Sequence, residues 1–214
     1  MTLPPWLRAD LADLLSADLA ATPAERAWRR ELAPELSYGR HDGPPRGEAR
    51  LAAVAVVLCW DGREWSLPLT VRTAGLSRHG GQVSLPGGLI DQGESPRMAA
   101  GRELHEELGP PPPLQWIGEL APLLVYASNA YVRPCIAVAG GWPEWQPQPA
   151  EVAEVLRYPL AALMEPLPAP LVIERGSLAF RAPRLMAGNH SIWGATAAIL
   201  GELRGRLRRL AQRT

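Results

Sequence analysis

The sequence predicts an α+β fold built on a mixed β-sheet, and three observations lead there. Apolar runs of strand length begin at Leu51. One well-capped helix interrupts them between Ser95 and Gly109. More strand-like runs follow before a closing helix over 190–210.

The elements follow in order. Residues 3–36 read as helical, with Leu7, Leu11, Leu14 and Leu15 at helix spacing. A second helical segment runs through Trp28 to Leu32 after the start signal Thr22-Pro23. The turn-rich stretch GRHDGPPRGE over 39–48 reads as a linker. The expected organisation is therefore an N-terminal helical extension and linker, 1–48, and a main domain, 49–214. LAAVAVVLCW and WSLPLTVR around the turn DGRE form a hairpin. A glycine-rich loop, RTAGLSRHGGQ, leads to the short strand VSLP. LQWIGELAPLLV and YVRPCIAVAG read as strands, GGWPEWQPQP as a loop, and EVAEVLRYPL as a strand entering a turn. LVIERGSLAFRAP reads as a second hairpin. The last helix places Ile192, Ala195, Ile199, Leu203 and Leu207 on one side.

Composition narrows the function classes. The 214 residues are 47% hydrophobic and 21% charged, which allows a real core. Net charge is zero, so no global basic field recruits a nucleic-acid polymer. Every basic residue is Arg. Cys59 and Cys135 sit inside apolar strand runs and read as buried thiols of a reducing compartment. With no leader-like or membrane-spanning run, the expectation is a soluble cytoplasmic protein, with packing or a homodimer contact as the use of its first 45 residues.

The chemistry concentrates in GGLIDQGESPRMAAGRELHEELG, residues 87–109. Ser95 is a helix cap with Pro96 at the first helical position, and Gly109-Pro110 stops the helix. At ~100° per residue, Glu103, Glu106 and Glu107 fall on one face. Ala100, Gly101, Leu104 and Leu108 fall on the other. Gly101 costs the helix on the order of 1 kcal/mol relative to Ala, which a close approach to the sheet would offset. Three carboxylates on one face repel each other, so the fold alone gains nothing from them. A hard divalent cation, Mg²⁺ or Mn²⁺, reverses that balance because it prefers oxygen ligands. The adjacent glycines form a bare turn able to lend a carbonyl, and Glu94 is placed to pair with Arg102.

Gly88, Glu94, Arg102, Glu103, Leu104, Glu106, Glu107 and Gly109 also resemble the Nudix box, G-x5-E-x7-R-E-U-x-E-E-x-G-U. Only Pro110 departs, where an aliphatic residue is usual; it ends the helix and leaves the carboxylates in place. The resemblance implies an α/β/α sandwich with a mixed sheet, and cation-dependent hydrolysis of a small-molecule diphosphate. It makes Glu103, Glu106 and Glu107 metal ligands, Gly87 a backbone ligand, and Glu94 with Arg102 an orienting ion pair.

Upstream, LTVRTAGLSRHGGQVSLPGG resembles the signature of the coenzyme A pyrophosphatase branch, through Leu69, Thr70, Arg72, Leu76, His79, Gly81, Gln82, Val83 and Pro86. Thr73 stands for Ser, Leu85 for Phe, and Arg78 shifts the basic position by one. This implies cleavage of CoA to 3′-phosphoadenosine 5′-phosphate and 4′-phosphopantetheine, with Arg72, Arg78, His79 and Gln82 on the substrate side. Glu151 is a further carboxylate for the metal cluster or a general base, with Glu154 its alternative. The box itself serves (d)NTPs, ADP-ribose and dinucleoside polyphosphates equally well. A ligand-binding Nudix module without turnover would be marked by a lost box carboxylate, and none is lost.

Overall fold

The computed structural model of the chain describes residues 4–35, 47–75, 80–175 and 178–213. Eight strands form the main sheet: β1 (Arg50–Trp60), β2 (Trp65–Arg72), β3 (Val83–Ser84), β4 (Gly87–Leu89), β5 (Gln115–Glu119), β6 (Leu123–Val125), β7 (Ala130–Gly140) and β8 (Val152–Pro159). The path is β3-β2-β1-β7-β5, with β4 on β1, β6 on β7 and β8 on β2. β1 and β7 run parallel from Arg50↔Ala130 to Trp60↔Gly140. The other pairings are antiparallel, so the sheet is mixed.

Both faces of the sheet are covered, which explains why β1 and β2 read as continuous apolar runs. Helix α3 (Pro96–Leu108) packs Ala99, Ala100, Leu104 and Leu108 onto Ala53, Ala55, Val57, Cys59 and Cys135. Helix α4 (Gly194–Arg213) packs Ile199, Leu200, Leu203 and Leu207 into the core that holds Val56, Leu58, Leu67 and Leu69. The result is an α/β/α sandwich. Two hairpins complete it: β9 (Leu171–Arg175) with β10 (Leu178–Ala182), and β11 (Arg184–Ala187) with β12 (His190–Trp193).

The N-terminal helices α1 (Leu11–Ala21) and α2 (Arg26–Arg30) belong to the α4 side. Leu11, Leu15 and Leu32 are fully buried in its core. Ser16 donates to Ile117 O and Leu19 fills the space over Gly118, so α1 lies along the edge strand β5 and shields it. A buried ionic network fixes this arrangement. Arg206 pairs with Asp18 at 2.8 Å and Glu202 at 3.1 Å, and Arg29 reaches Glu202 at 2.6 Å. Arg29 also donates to Pro122 O at 2.7 Å and to Ala121 O. Trp28 lies flat against Gly205, where any side chain would collide with its indole.

Several elements differ from the sequence reading. The helix expected over 190–210 starts at Gly194, and Ile192 belongs to β12, because Arg184–Ala187 pairs with His190–Trp193 around a tight turn at Gly188. LQWIGELAPLLV divides into β5 and β6, since Ala121 and Pro122 turn to meet Glu202 and Arg29. The glycine pair 87–88 is a strand rather than a turn. Gly101 makes no tight approach: an added Cβ would meet only the Trp116 ring, at an ordinary 3.6 Å. Small residues on both sides, Ala53, Ala55, Ala99 and Ala100, bring helix and sheet together instead. Gly101→Ala is therefore expected to stabilise the chain by about 0.5–1 kcal/mol, measured as a raised urea midpoint at unchanged m-value.

Candidate active site

Three local features build the site. Ser95 accepts a hydrogen bond from Met98 N and starts α3. Gly109, at φ 77°, ends it in a conformation that favours glycine. β4 then runs antiparallel to β1, with Gly87↔Val54 and Gly88↔Ala53. A Cβ on Gly87 would lie 2.6 Å from Val54 Cα, and one on Gly88 would overlap the Glu103 carboxylate. Gly87 is a steric requirement against the β1 backbone, whereas a side chain at Gly88 would displace the Glu103 carboxylate.

Arg102 organises the outer side. Its Nε donates to Glu94 Oε1 at 2.9 Å and its Nη2 to Glu94 Oε2 at 3.0 Å, the bidentate fork of a strong ion pair. Nη1 reaches Glu103 Oε1 at 2.9 Å and Glu106 Oε2 at 3.1 Å, and Nη2 also donates to Leu89 O. The carboxyl of Glu94 is held below its ordinary pKa by Arg102 and by the Asp91 backbone N–H. The loop 90–95 is thereby tied to α3.

Glu107 occupies the inner side and is only 2% exposed. Its Oε2 is buried with no hydrogen-bond partner, while the Gly87 backbone N–H hydrogen-bonds the carboxylate. Desolvation lifts its pKa to about 7, against the opposing pull of Arg72 and Gly87. Glu103 is raised as well, mainly by desolvation, with Arg102 opposing. Arg72 Nη1 stands 3.8 Å from Glu107 Oε1. Glu151 adds to the rise of both Glu103 and Glu107, so its charge is felt at the same spot.

The structure thus brings Glu94, Arg102, Glu103 and Glu106 into one ionic cluster and sets Glu107, Gly87 and Arg72 beside it. Among the described residues, no three His, Cys, Asp or Glu side chains converge on a single point, because Glu103 and Glu106 turn toward Arg102. An orphaned buried carboxylate oxygen beside further hard oxygen donors nevertheless suits a divalent cation. Glu151 lies in the turn just before β8 rather than within a strand, with its O accepting from Thr73 N. Glu154 points to the other side, where it meets His190 at 3.1 Å. Gln82 lies just before β3, and its O accepts from Arg72 N at 3.0 Å. Arg78 and His79 lie outside the described residues.

The profile of the NUDIX domain matches residues 49–178. The chain belongs to the Nudix family. It is 35% identical over 163 residues to the uncharacterized Nudix hydrolase NudL of Pectobacterium atrosepticum, covering 74% of this chain and 83% of that protein. NudL of Citrobacter koseri is 34% identical over 157 residues, 72% of this chain and 81% of that one. Among solved structures, the MutT/nudix family protein from Enterococcus faecalis shares the fold. Its TM-score is 0.50 and its identity 15%, over 88% of this chain and 76% of that one. The chain is accordingly a Nudix hydrolase. No helix among the described residues is long and apolar enough to cross a membrane.

What sequence reasoning missed is the contact between Arg72 and Glu107, two residues 35 positions apart that no local pattern joins. The burial of Glu107 has a testable consequence. With its pKa raised from 4.5 to about 7, the folded chain binds more protons than the unfolded one between those values. Stability of the metal-free protein therefore falls as pH rises through that window and levels off above pH 7. In EDTA at pH 8, Glu107→Gln should be more stable than the parent by on the order of 3 kcal/mol. That gain should shrink toward pH 4.5 in urea titrations.

Proposed function

We propose that this Nudix hydrolase cleaves the diphosphate of CoA or a CoA derivative, giving 3′-phosphoadenosine 5′-phosphate and 4′-phosphopantetheine. The observation that carries the diphosphate reading is the buried Glu107, with an unpartnered oxygen, set between Glu103 and Arg72. Glu103, Glu106, Glu107 and the Gly87 carbonyl would hold Mg²⁺ or Mn²⁺. Such an ion neutralises diphosphate charge and activates water when bound. Glu94 keeps Arg102, and through it the α3 carboxylates, in place.

Hydrolysis consumes one water. Its oxygen bonds to one phosphorus, the bridging P–O bond breaks, and the leaving oxygen keeps the electron pair. Glu151, exposed and electrostatically close to Glu103 and Glu107, is the carboxylate we assign to accept the water proton. The CoA assignment rests on the signature from Leu69 to Pro86, with Arg72, Arg78, His79 and Gln82 on the substrate side. Residues 1–48 are an N-terminal extension of the Nudix domain in this reading, its helices packed on the α4 side. Packing or a homodimer contact is the use of that extension, and the cytoplasm is the expected location.

A panel of CoA, acetyl-CoA, ADP-ribose, NADH, dNTPs and diadenosine polyphosphates, assayed with Mg²⁺ or Mn²⁺, tests the reading. Selective release of 4′-phosphopantetheine from CoA is the expected outcome, and preference for another compound in the panel overturns the CoA assignment. Glu106→Gln and Glu107→Gln should each lower kcat by at least about 10²-fold, the scale of losing one electrostatic contact to a transition state. Unchanged turnover at saturating Mg²⁺ would refute the metal-ligand assignment.

A further inference from the structure

Arg72, expected on the substrate side, stands beside the innermost carboxylate of the site. Two phosphate groups of CoA are open to an arginine on the substrate side, the diphosphate and the 3′-phosphate. The surroundings of Arg72 separate the two. The neighbouring cation Arg102 has its donors taken up by Glu94, Glu103, Glu106 and Leu89 O. The guanidinium of Arg72, with five N–H donors, makes no hydrogen bond to a described residue and is 25% exposed. Among the described residues its one ion pair is with Glu107, at 3.8 Å, too long for a hydrogen bond.

The backbone of Arg72 is held, by contrast. Its N–H donates to Gln82 O and its O accepts from Gly81 N at 2.9 Å. On the other edge, the β2–β8 register shifts between Val71 and Arg72: Val71 faces Glu154 and Arg72 faces Val152, so Ala153 is skipped. Such an irregularity commonly re-aims a side chain next to an active site. Val71 stays in the α4-side core, whereas Arg72 is directed under α3 toward Glu107. A fixed backbone thus carries an uncommitted fork against the most buried carboxylate of the site.

We propose that Arg72 grips the phosphoryl group that is cleaved, and not a peripheral phosphate elsewhere on the substrate. The inference rests on the diphosphatase reading above and deepens it. A guanidinium 3.8 Å from the innermost metal-ligand candidate reaches the same atoms that the ion reaches. It offers them a bidentate donor pair and a positive charge. A 3′-phosphate, separated from the diphosphate by the ribose, lies beyond that reach. Arg72 is thereby a catalytic residue common to every diphosphate this chain accepts, and selection of CoA falls to other side chains.

The experiment pairs a residue change with a substrate change. Arg72→Gln and Arg72→Lys are assayed on CoA and on dephospho-CoA, which lacks the 3′-phosphate. Binding of Mn²⁺ alone, and of inorganic pyrophosphate in the presence of Mn²⁺, is followed by calorimetry on the full chain. We expect Arg72→Gln to lower kcat/KM by about 10²-fold or more on both substrates alike. It should weaken pyrophosphate binding about tenfold or more and leave Mn²⁺ affinity within about threefold, and Arg72→Lys should recover part of each loss. A loss on CoA that disappears on dephospho-CoA overturns the proposal, because Arg72 then reads the 3′-phosphate. A loss of Mn²⁺ affinity without substrate overturns it too, because Arg72 then acts through Glu107. If the parent chain hydrolyses neither compound, the CoA reading fails by itself. The pyrophosphate arm still decides, and unaltered binding in Arg72→Gln sinks the Arg72 assignment.

Discussion

The register of β1 is the constraint on which the site depends. This strand pairs with β2 at one end, with β4 at the other, and along its whole length with β7. Each partner delivers a different component. β4 brings Gly87 and Gly88 beneath α3, β2 carries Arg72 to Glu107, and β7 closes the floor on which α3 packs. A one-residue slip in any of these pairings would turn the delivered groups to the opposite face. The period-two geometry of a strand therefore acts directly on the geometry of the carboxylates.

The floor itself is made of small side chains. Ala53, Ala55, Ala99 and Ala100 allow α3 to sit low over the sheet, and the Glu103 carboxylate lies against the bare backbone of Gly88. That closeness also desolvates Glu107, a cost in stability for the metal-free chain. The charges that make the site useful are the ones the fold would do better without. Arg72 offsets part of that cost through its field, and Arg102 does the same for Glu103 through a hydrogen bond.

The opposite layer answers a different problem. α4 is buried nearly all round, with Glu202, Arg204 and Arg206 among its buried residues. Glu202 and Arg206 survive there because the N-terminal helices supply Arg29 and Asp18 as partners, with Trp28 as a cover for Gly205, while Arg204 donates to Glu165 O. The polar residues that interrupt the apolar periodicity of α4 are thus the marks of a second buried interface.

Much was legible without coordinates. The cap Ser95, the stop Gly109, the pairing of Glu94 with Arg102 and the buried runs of β1 and β2 follow from local rules, and each is found. The failures have one cause. β4, the hairpin formed by β11 and β12, and the break at Leu120 to Pro122 are short elements whose conformation is set by a distant strand or by Arg29. Glu103, Glu106 and Glu107 look alike on a helical wheel. Burial separates them, leaving Glu106 exposed and Glu103 half-buried, both on Arg102, and Glu107 in the interior. By itself the sequence determined the spacing of the carboxylates along α3 and the glycines before it, because those depend only on helix pitch and on the room a backbone needs. Only the tertiary structure decided which carboxylate is buried and which arginine faces it. Both depend on the β1 pairings, which join residues far apart in the chain.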